Sequence, residues 1–417
     1  DNRLWDTVQK GNCAMPKSST DYRVTRRAML GATGAASATI LGMPVQQLLA
    51  NAGSGGTQQA EHVILFWNGG GMSHLDTWDP KPGRRAQGEF APINTSASGI
   101  QISEIFPKLA RQMHHCSLIR SIVGTQGDHG PATYHLQTSY AQAGDLVHPG
   151  IGSVVVHQLE RKGDLPSYIS ISGRARRATY LGQKCEAYYV SAPGQQDPYL
   201  SFSEGIAKGQ CGQHLQHTQT IIGAANGLMH NPALNAFDLD TVPTATLNRY
   251  GDTTFGRGAL LAKRLVETGV RFVQINRGGF DTHGNNFPAM RAHGEVMDPA
   301  LASLIEDLAD SGLLEKTLVI MLSEFGRTPH INRNAGRDHW ASCFSCFMAG
   351  GGIKGGMVVG SSDADGYQPK DRPVRVSDLH ATLCRAIGID PDTQVLTPLQ
   401  RPMKLVDNGK PVAELFA

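Results

Sequence analysis

The chain has almost no net charge. Its ionisable side chains leave a formal +2 over 417 residues, and Lys and Arg are scattered rather than gathered in a stripe. A nucleic-acid binder needs a clustered positive face, so nucleic acid is not an expected partner. No apolar run reaches the roughly 18 residues of a membrane-crossing helix, so no permanent membrane span is expected. Charged residues are also scarce, at 18% against about 25% in ordinary soluble domains. Cysteine is sparse and odd in number: Cys13, Cys116, Cys185, Cys211, Cys343, Cys346 and Cys384. Cys343 and Cys346 form a CxxC, but it lies in the apolar run "ASCFSCFMAGGG" and no second pair stands at zinc-finger spacing. They read as buried core thiols. What is abundant is glycine, at 48 residues, well above the usual share of about 7%. With 40% hydrophobic residues, the composition predicts a large-cored, loop-rich globular protein.

The amino-terminal region "VTRRAMLGATGAASATILGM" opens on Thr25, Arg26 and Arg27 and continues into a weakly apolar, Gly- and Ala-rich stretch. Ala50-Asn51-Ala52 then fits a small-residue cleavage site. The order of these features resembles a twin-arginine export signal. Residues 1–56 are therefore set aside as extension, signal and linker, and 57–417 as one domain. The first residue is Asp1 rather than Met, so the chain is expected to be a fragment at that end. Export implies the twin-arginine machinery as a partner and a periplasmic or extracellular location.

Four short apolar runs follow: "HVILFW" (62–67), "CSLIRSIV" (116–123), "VRFVQIN" (270–276) and "TLVIML" (317–322). Each has the length and apolar character of a buried parallel strand. Between and after them come helical signals. Pro131 suits the first turn of a helix. Met297, Leu301, Leu304, Ile305 and Leu308 recur at helical spacing in a segment from Glu295 that closes at Gly312. "SDLHATLCRAIG" offers Ser377 as N-cap and Gly388 beyond its end. Alternating strands and helices predict an α/β fold: a three-layer α/β/α sandwich around a mostly parallel sheet. Right-handed crossovers gather the loops at the carboxyl edge, where ligands bind. Residues 184–250, polar and Gln-rich, read as an excursion over that edge.

The loops at the four strand ends carry Ser73/His74/Asp76, Asp128/His129, Asp281/His283 and Glu324/Arg327, and "GRDHW" adds Asp338 and His339. The expected metal-binding residues are Asp281, His283, Glu324, Asp338 and His339. Paired histidines with carboxylates suit a divalent metal, zinc or manganese before calcium, which wants more oxygens. For any one residue alone, a turn cap or a backbone hydrogen bond is the plainer account. "GMSHL" approaches the G-x-S-x-G nucleophile elbow, with Leu75 in place of the last glycine, and keeps Ser73 as a candidate nucleophile. Gly350, Gly352 and Gly355 satisfy G-x-G-x-x-G, but "MVVGSS" follows instead of a helix, so the segment reads as a turn.

"GGGMSHLDTWDPKP", "DHGPATYH", "FDTHGNNF" and "SEFGRTP" followed by "GRDHW" together resemble the domain of unknown function 1501, a twin-arginine-exported family of the alkaline phosphatase and sulfatase superfamily. The resemblance runs from about residue 60 to the end. It implies an alkaline phosphatase/sulfatase-like fold, with Asp281, His283, Glu324 and His339 in the places of metal ligands. The chain departs from the superfamily at three points. Glu324-Phe325 stands for the usual Asp-His, Asn68 falls where an acidic ligand is usual and leaves Asp76 as the expected substitute metal ligand, and no Cys or Ser is followed by x-Pro-x-Arg.

The expected activity is metal-assisted hydrolysis of a sulfate or phosphate ester, on a small anionic ester or a sulfated or phosphorylated glycan. The metal is expected to polarise an ester oxygen or activate water. Arg327 is expected to orient the anion, and His129, at a helix start, to act as acid/base or ligand. The competing expectation is an exported binding protein that kept the fold without catalysis.

Overall fold

β1 (His62–Asn68) is buried along its whole length. Ile64 and Phe66 face one apolar cluster, while Val63, Leu65 and Trp67 face another. This alternation is what a central strand requires when both faces of its sheet are covered. The computed structural model describes residues 60–194 and 232–416, all within the unit Gln58–Ala417. The Arg26–Arg27 signal, Cys13 and Cys211 lie outside the described residues.

The other main strands are β2 (Cys116–Val123), β3 (Tyr168–Ile171), β4 (Tyr188–Val190), β5 (Phe272–Arg277), β6 (Thr317–Leu322), β7 (Phe344–Ala349), β8 (Met357–Val359) and β9 (Val374–Arg375). They lie in the order β8, β2, β7, β6, β1, β5, β3, β4, with β9 also paired to β2. Only β7 runs antiparallel to its neighbours; every other pairing in this sheet is parallel. The fold is thus α/β with a mostly parallel central sheet.

The helices are α1 (His129–Thr138), α2 (Ile151–Gln158), α3 (Thr244–Tyr250), α4 (Thr254–Glu267), α5 (Asn286–Asp310) and α6 (Val376–Ala386). Leu260, Leu261 and Leu265 of α4 join Leu301, Leu304 and Leu308 of α5 on the Ile64 face. Val154 and Val155 of α2 join Leu379 and Leu383 of α6 on the opposite face.

Three local expectations change. α5 begins at Asn286 rather than Glu295, because Phe287 and Met290 continue its buried stripe toward the amino end. α6 is capped at Arg375 rather than Ser377, since the Asp378 carboxylate accepts the Arg375 backbone N–H at 3.0 Å. The supposed excursion starts inside the fold: Tyr188–Val190 pairs with β3 at the sheet edge, and Thr244–Tyr250 is helical. Its middle, residues 195–231, lies outside the described residues. Cys343 and Cys346 are buried, unpaired thiols, as their apolar setting predicts. Burial pushes the Cys343 thiol up to about 12.

Candidate metal centre

The loops leaving β1, β2, β5 and β6 meet. β1 lies between β5 and β6, so three of the four strand ends are adjacent. Gly70 has φ 118°, and a Cβ there would stand 2.5 Å from the Asp281 amide nitrogen. Only glycine permits both that backbone angle and that approach of the β5 loop. The Gly70 N–H in turn donates to Glu324 Oε1 at 2.7 Å, which ties the β1 and β6 loops together.

Around this junction, His129, Asp281 and His339 each place a ligand atom within 4.8 Å of the others. Asp281 Oδ1 lies 3.2 Å from His339 Nε2 and 3.1 Å from His283 Nε2, and Asp281 Oδ2 lies 3.2 Å from His129 Nε2. The far side of each ring is occupied. His129 Nδ1 donates to Glu324 Oε1 at 2.9 Å, His283 Nδ1 to Asp338 Oδ1 at 2.6 Å, and His339 Nδ1 to the Gly127 carbonyl at 2.7 Å. A neutral ring whose Nδ1–H is so engaged turns an Nε2 lone pair inward.

That arrangement is the test of fit for a cation. His129 Nε2 is buried and makes no hydrogen bond among the described residues, even though Asp281 Oδ2 is 3.2 Å away. A lone pair facing a carboxylate is unfavourable unless something positive joins them. His283 Nε2 and His339 Nε2 also face each other at 3.0 Å. Imidazole nitrogens and one carboxylate oxygen are the donor set of zinc and related transition metals, and too poor in oxygen for calcium. The residues fit a divalent metal.

Asp281 itself is fixed from below by Arg327. The guanidinium donates to Asp281 Oδ1 at 2.5 Å and to the carbonyls of Gly70, Gly71 and Arg337. Desolvation raises the Asp281 carboxyl, but the Arg327 guanidinium, with the imidazoles of His339 and His129 beside it, outweighs this and holds the group far below the usual carboxylate range. The hydrogen bond with His283 likewise lowers Asp338, against a smaller opposing effect of burial. Both are therefore anions ready to meet a cation.

Of the expected site residues, the structure brings together His129, Asp281, His283, Glu324, Asp338 and His339. Three candidates take other places. Arg327 is fully buried and makes four hydrogen bonds, to three carbonyls and Asp281, so it holds the aspartate and presents no open face to a substrate anion. Asp76 is fully buried and faces Arg337, whose Nε and Nη2 reach Oδ2 at 2.9 Å and Oδ1 at 3.1 Å; Asn286 donates to Oδ2 as well. Both carboxylate oxygens are taken. Ser73 is fully buried, and its hydroxyl accepts the Asp76 backbone N–H at 3.3 Å. No open face remains for a nucleophile, because Ser73 has no exposed surface. Glu324 keeps its place in the cluster but is committed to the Gly70 N–H and the His129 ring, so it orients that imidazole. Two participants had escaped the sequence reading. Arg337 stands inside "GRDHW" beside two predicted ligands, and that adjacency was the available signal. The Gly127 carbonyl is backbone and left none.

Among solved structures, the fold is similar to a PsFucS1 sulfatase from Pseudoalteromonas sp., at 15% identity and TM-score 0.42, covering 90% of this chain and 80% of that one. It is similar to the phosphonate monoester hydrolase SpPMH from Silicibacter pomeroyi, at 11% identity and TM-score 0.37, covering 84% and 76%. It is also similar to a TAB5 alkaline phosphatase variant with Mg bound in its M3 site, at 11% identity and TM-score 0.39, covering 80% and 100%. None of these likenesses carries an argument about activity. No curated protein matches the sequence. Residues 60–222 and 207–416, nearly all of the described chain and the segment between its two parts, match one family, and the chain belongs to it: Protein of unknown function (DUF1501).

Proposed function

We propose that the chain is an exported, metal-dependent hydrolase of sulfate or phosphate esters. The observation that carries the metal is the buried, unpartnered His129 Nε2 aimed at Asp281 beside His339. The ester class is supported by the resemblance of the strand-end motifs, and export by the Arg26–Arg27 segment.

His129, Asp281 and His339 would hold the metal, with zinc fitting the donor set best. Three protein donors leave a coordination position open, as catalytic zinc sites do and structural ones do not. A divalent metal bound there supplies a Lewis acid at the ester oxygen or water. The chain's own residues do the rest. Glu324 fixes the His129 ring, and Arg327 fixes Asp281. His283 stands at the exposed rim with Nδ1–H on Asp338, so that its Nε2, beside Asp281 and His339, would take a proton as general base.

A second reading rests on one contact. His283 Nε2 lies 3.0 Å from His339 Nε2, close enough for His283 to be a fourth donor. Four protein donors would close the site, as in structural zinc centres, and favour the non-catalytic binding protein. His283→Ala separates the two: metal retained with turnover down roughly 10²–10⁴-fold supports the hydrolase, whereas metal lost supports the closed site. The direct test is metal analysis of protein recovered after native export, paired with a panel of aryl sulfates and aryl phosphates. No turnover by metal-replete protein would overturn the hydrolase.

A further inference from the structure

A cavity of about 660 Å³ lies against α1 and the carboxyl ends of β1 and β5, and three arginines line it. Its wall includes Arg174, Arg176 and Arg177, all from the loop that follows β3. The floor is Trp67 and Asn276, register partners at the carboxyl ends of β1 and β5. The third side is α1, through Thr133 and Gln137. Those positions follow His129 by one and two helical turns on the same helix face, about 6 and 12 Å along the axis. The cavity and the metal cluster thus share a helix and two strand ends.

No acidic residue lines this cavity among the described residues. Among the described residues, none of the three guanidiniums donates a hydrogen bond. Arg176 stacks over the Tyr134 ring at 4.7 Å, and its Nε is buried with no hydrogen-bond partner among the described residues. Arg174 lies over the Tyr189 ring at 5.6 Å. A guanidinium stacked on an aromatic face keeps its in-plane N–H groups for an oxyanion. Among the described residues Arg177 has one long ion pair, to Glu186 at 3.7 Å, and its side chain is exposed. Burial also lowers the Arg176 guanidinium, a cost that an anion in the cavity would offset.

We propose that this cavity is a subsite for a second sulfate or phosphate group, so that the substrate is a multiply charged ester whose one anionic group reaches the metal cluster while another is held by Arg174, Arg176 and Arg177. The linkage between the two groups rests on the hydrolase reading; the binding of the anion does not. Spacing of about one to two helical turns suits groups on neighbouring sugar rings, which makes a polysulfated or polyphosphorylated glycan a better fit than a simple aryl ester.

The test is equilibrium binding of three probes: inorganic sulfate, a monosulfated disaccharide and its disulfated counterpart. They are titrated into wild type, Arg174→Ala/Arg177→Ala, Arg176→Lys and Asp281→Ala. Wild type should bind the disulfated probe at least about tenfold more tightly than the monosulfated one, the scale of one charge-assisted contact. Both arginine variants should lose most of that preference while keeping their metal and their thermal midpoint. Arg176→Lys keeps the charge and the stem, so its loss would report the guanidinium fork rather than misfolding. Asp281→Ala should keep binding inorganic sulfate even as it loses metal, and that result would leave the subsite standing if the metal reading failed. Equal affinity for the two disaccharides in wild type, or a preference unchanged in both arginine variants, would overturn the proposal. Sulfate binding that the arginine variants remove, without any preference for the disulfated probe, would assign the cavity to a free anion and overturn its role in the substrate.

Discussion

Arg327 and Asp281 form a one-sided pair: the guanidinium is completely buried while the carboxylate it holds at 2.5 Å is 47% exposed. One end of the contact is anchored in backbone carbonyls of the β1 loop, and the other presents an anion to the open carboxyl edge. Arg327→Ala would strip donors from the buried carbonyls of Gly70, Gly71 and Arg337 and release Asp281. Each orphaned carbonyl costs on the order of 1–3 kcal/mol, and the expected loss is roughly 2–5 kcal/mol after relaxation. Urea denaturation measures it. A loss below ~1 kcal/mol would show that the junction does not depend on this guanidinium.

The metal should depend on the convergent group. His129→Ala, Asp281→Ala and His339→Ala are each expected to lower zinc content at least about tenfold. Glu324→Gln acts one step back, through the His129 ring, and should weaken zinc by roughly 10–100-fold, the usual range for an orienting partner. Cys343→Ser should leave zinc unchanged. Metal-to-protein ratios after dialysis against a graded chelator decide it, and full occupancy in all three ligand variants would make the cluster a purely structural hydrogen-bond network.

Asp76 and Ser73 should behave as framework. Asp76→Ala leaves Arg337 as a buried charge without its partner, which costs about 3–5 kcal/mol, while protein that still folds keeps its metal. Ser73→Ala removes one weak turn contact and should change turnover less than about tenfold. A Ser73→Ala enzyme with bound metal and no turnover would restore Ser73 as a nucleophile.

His380 gives a pH signature. Burial lowers it from 6.5 to about 4, even with its hydrogen bond to the Leu136 carbonyl at 2.8 Å. Between those values the unfolded chain binds the proton and the folded one does not, so stability falls as pH drops from about 6.5 to about 4. A shift of this size corresponds to about 3 kcal/mol. His62, His74 and His293 are lowered mainly by burial too and add to the same slope. His380→Gln should flatten the acid limb of a stability-against-pH curve; an unchanged slope would mean that the ring is solvated before the fold opens.

Export is tested separately. Arg26→Lys with Arg27→Lys should hold the protein in the cytoplasm, and normal appearance of the double variant outside the inner membrane would refute the signal.

Periodicity and spacing determined the sheet and its site edge. The runs at 62–67, 116–123, 270–276 and 317–322 became β1, β2, β5 and β6 with shifts of two residues at most, because strands buried on both faces must be continuously apolar. The same logic sent Asp281, His283, Glu324 and His129 to one edge. Tertiary structure alone decided which of these side chains converge. Asp76 carries the same carboxylate as Asp281, but only the fold puts Arg337 against one and three histidines around the other. Arg327 reads as an anion binder until the Gly70 and Gly71 carbonyls are seen to claim it. Arg174, Arg176 and Arg177 sit in plain view as "RARR", yet nothing in the chain says that their loop packs beside α1. Local pattern records which atoms are polar and which run is buried; partner choice between loops remote in sequence is set by strand order, and strand order is a property of the assembled sheet.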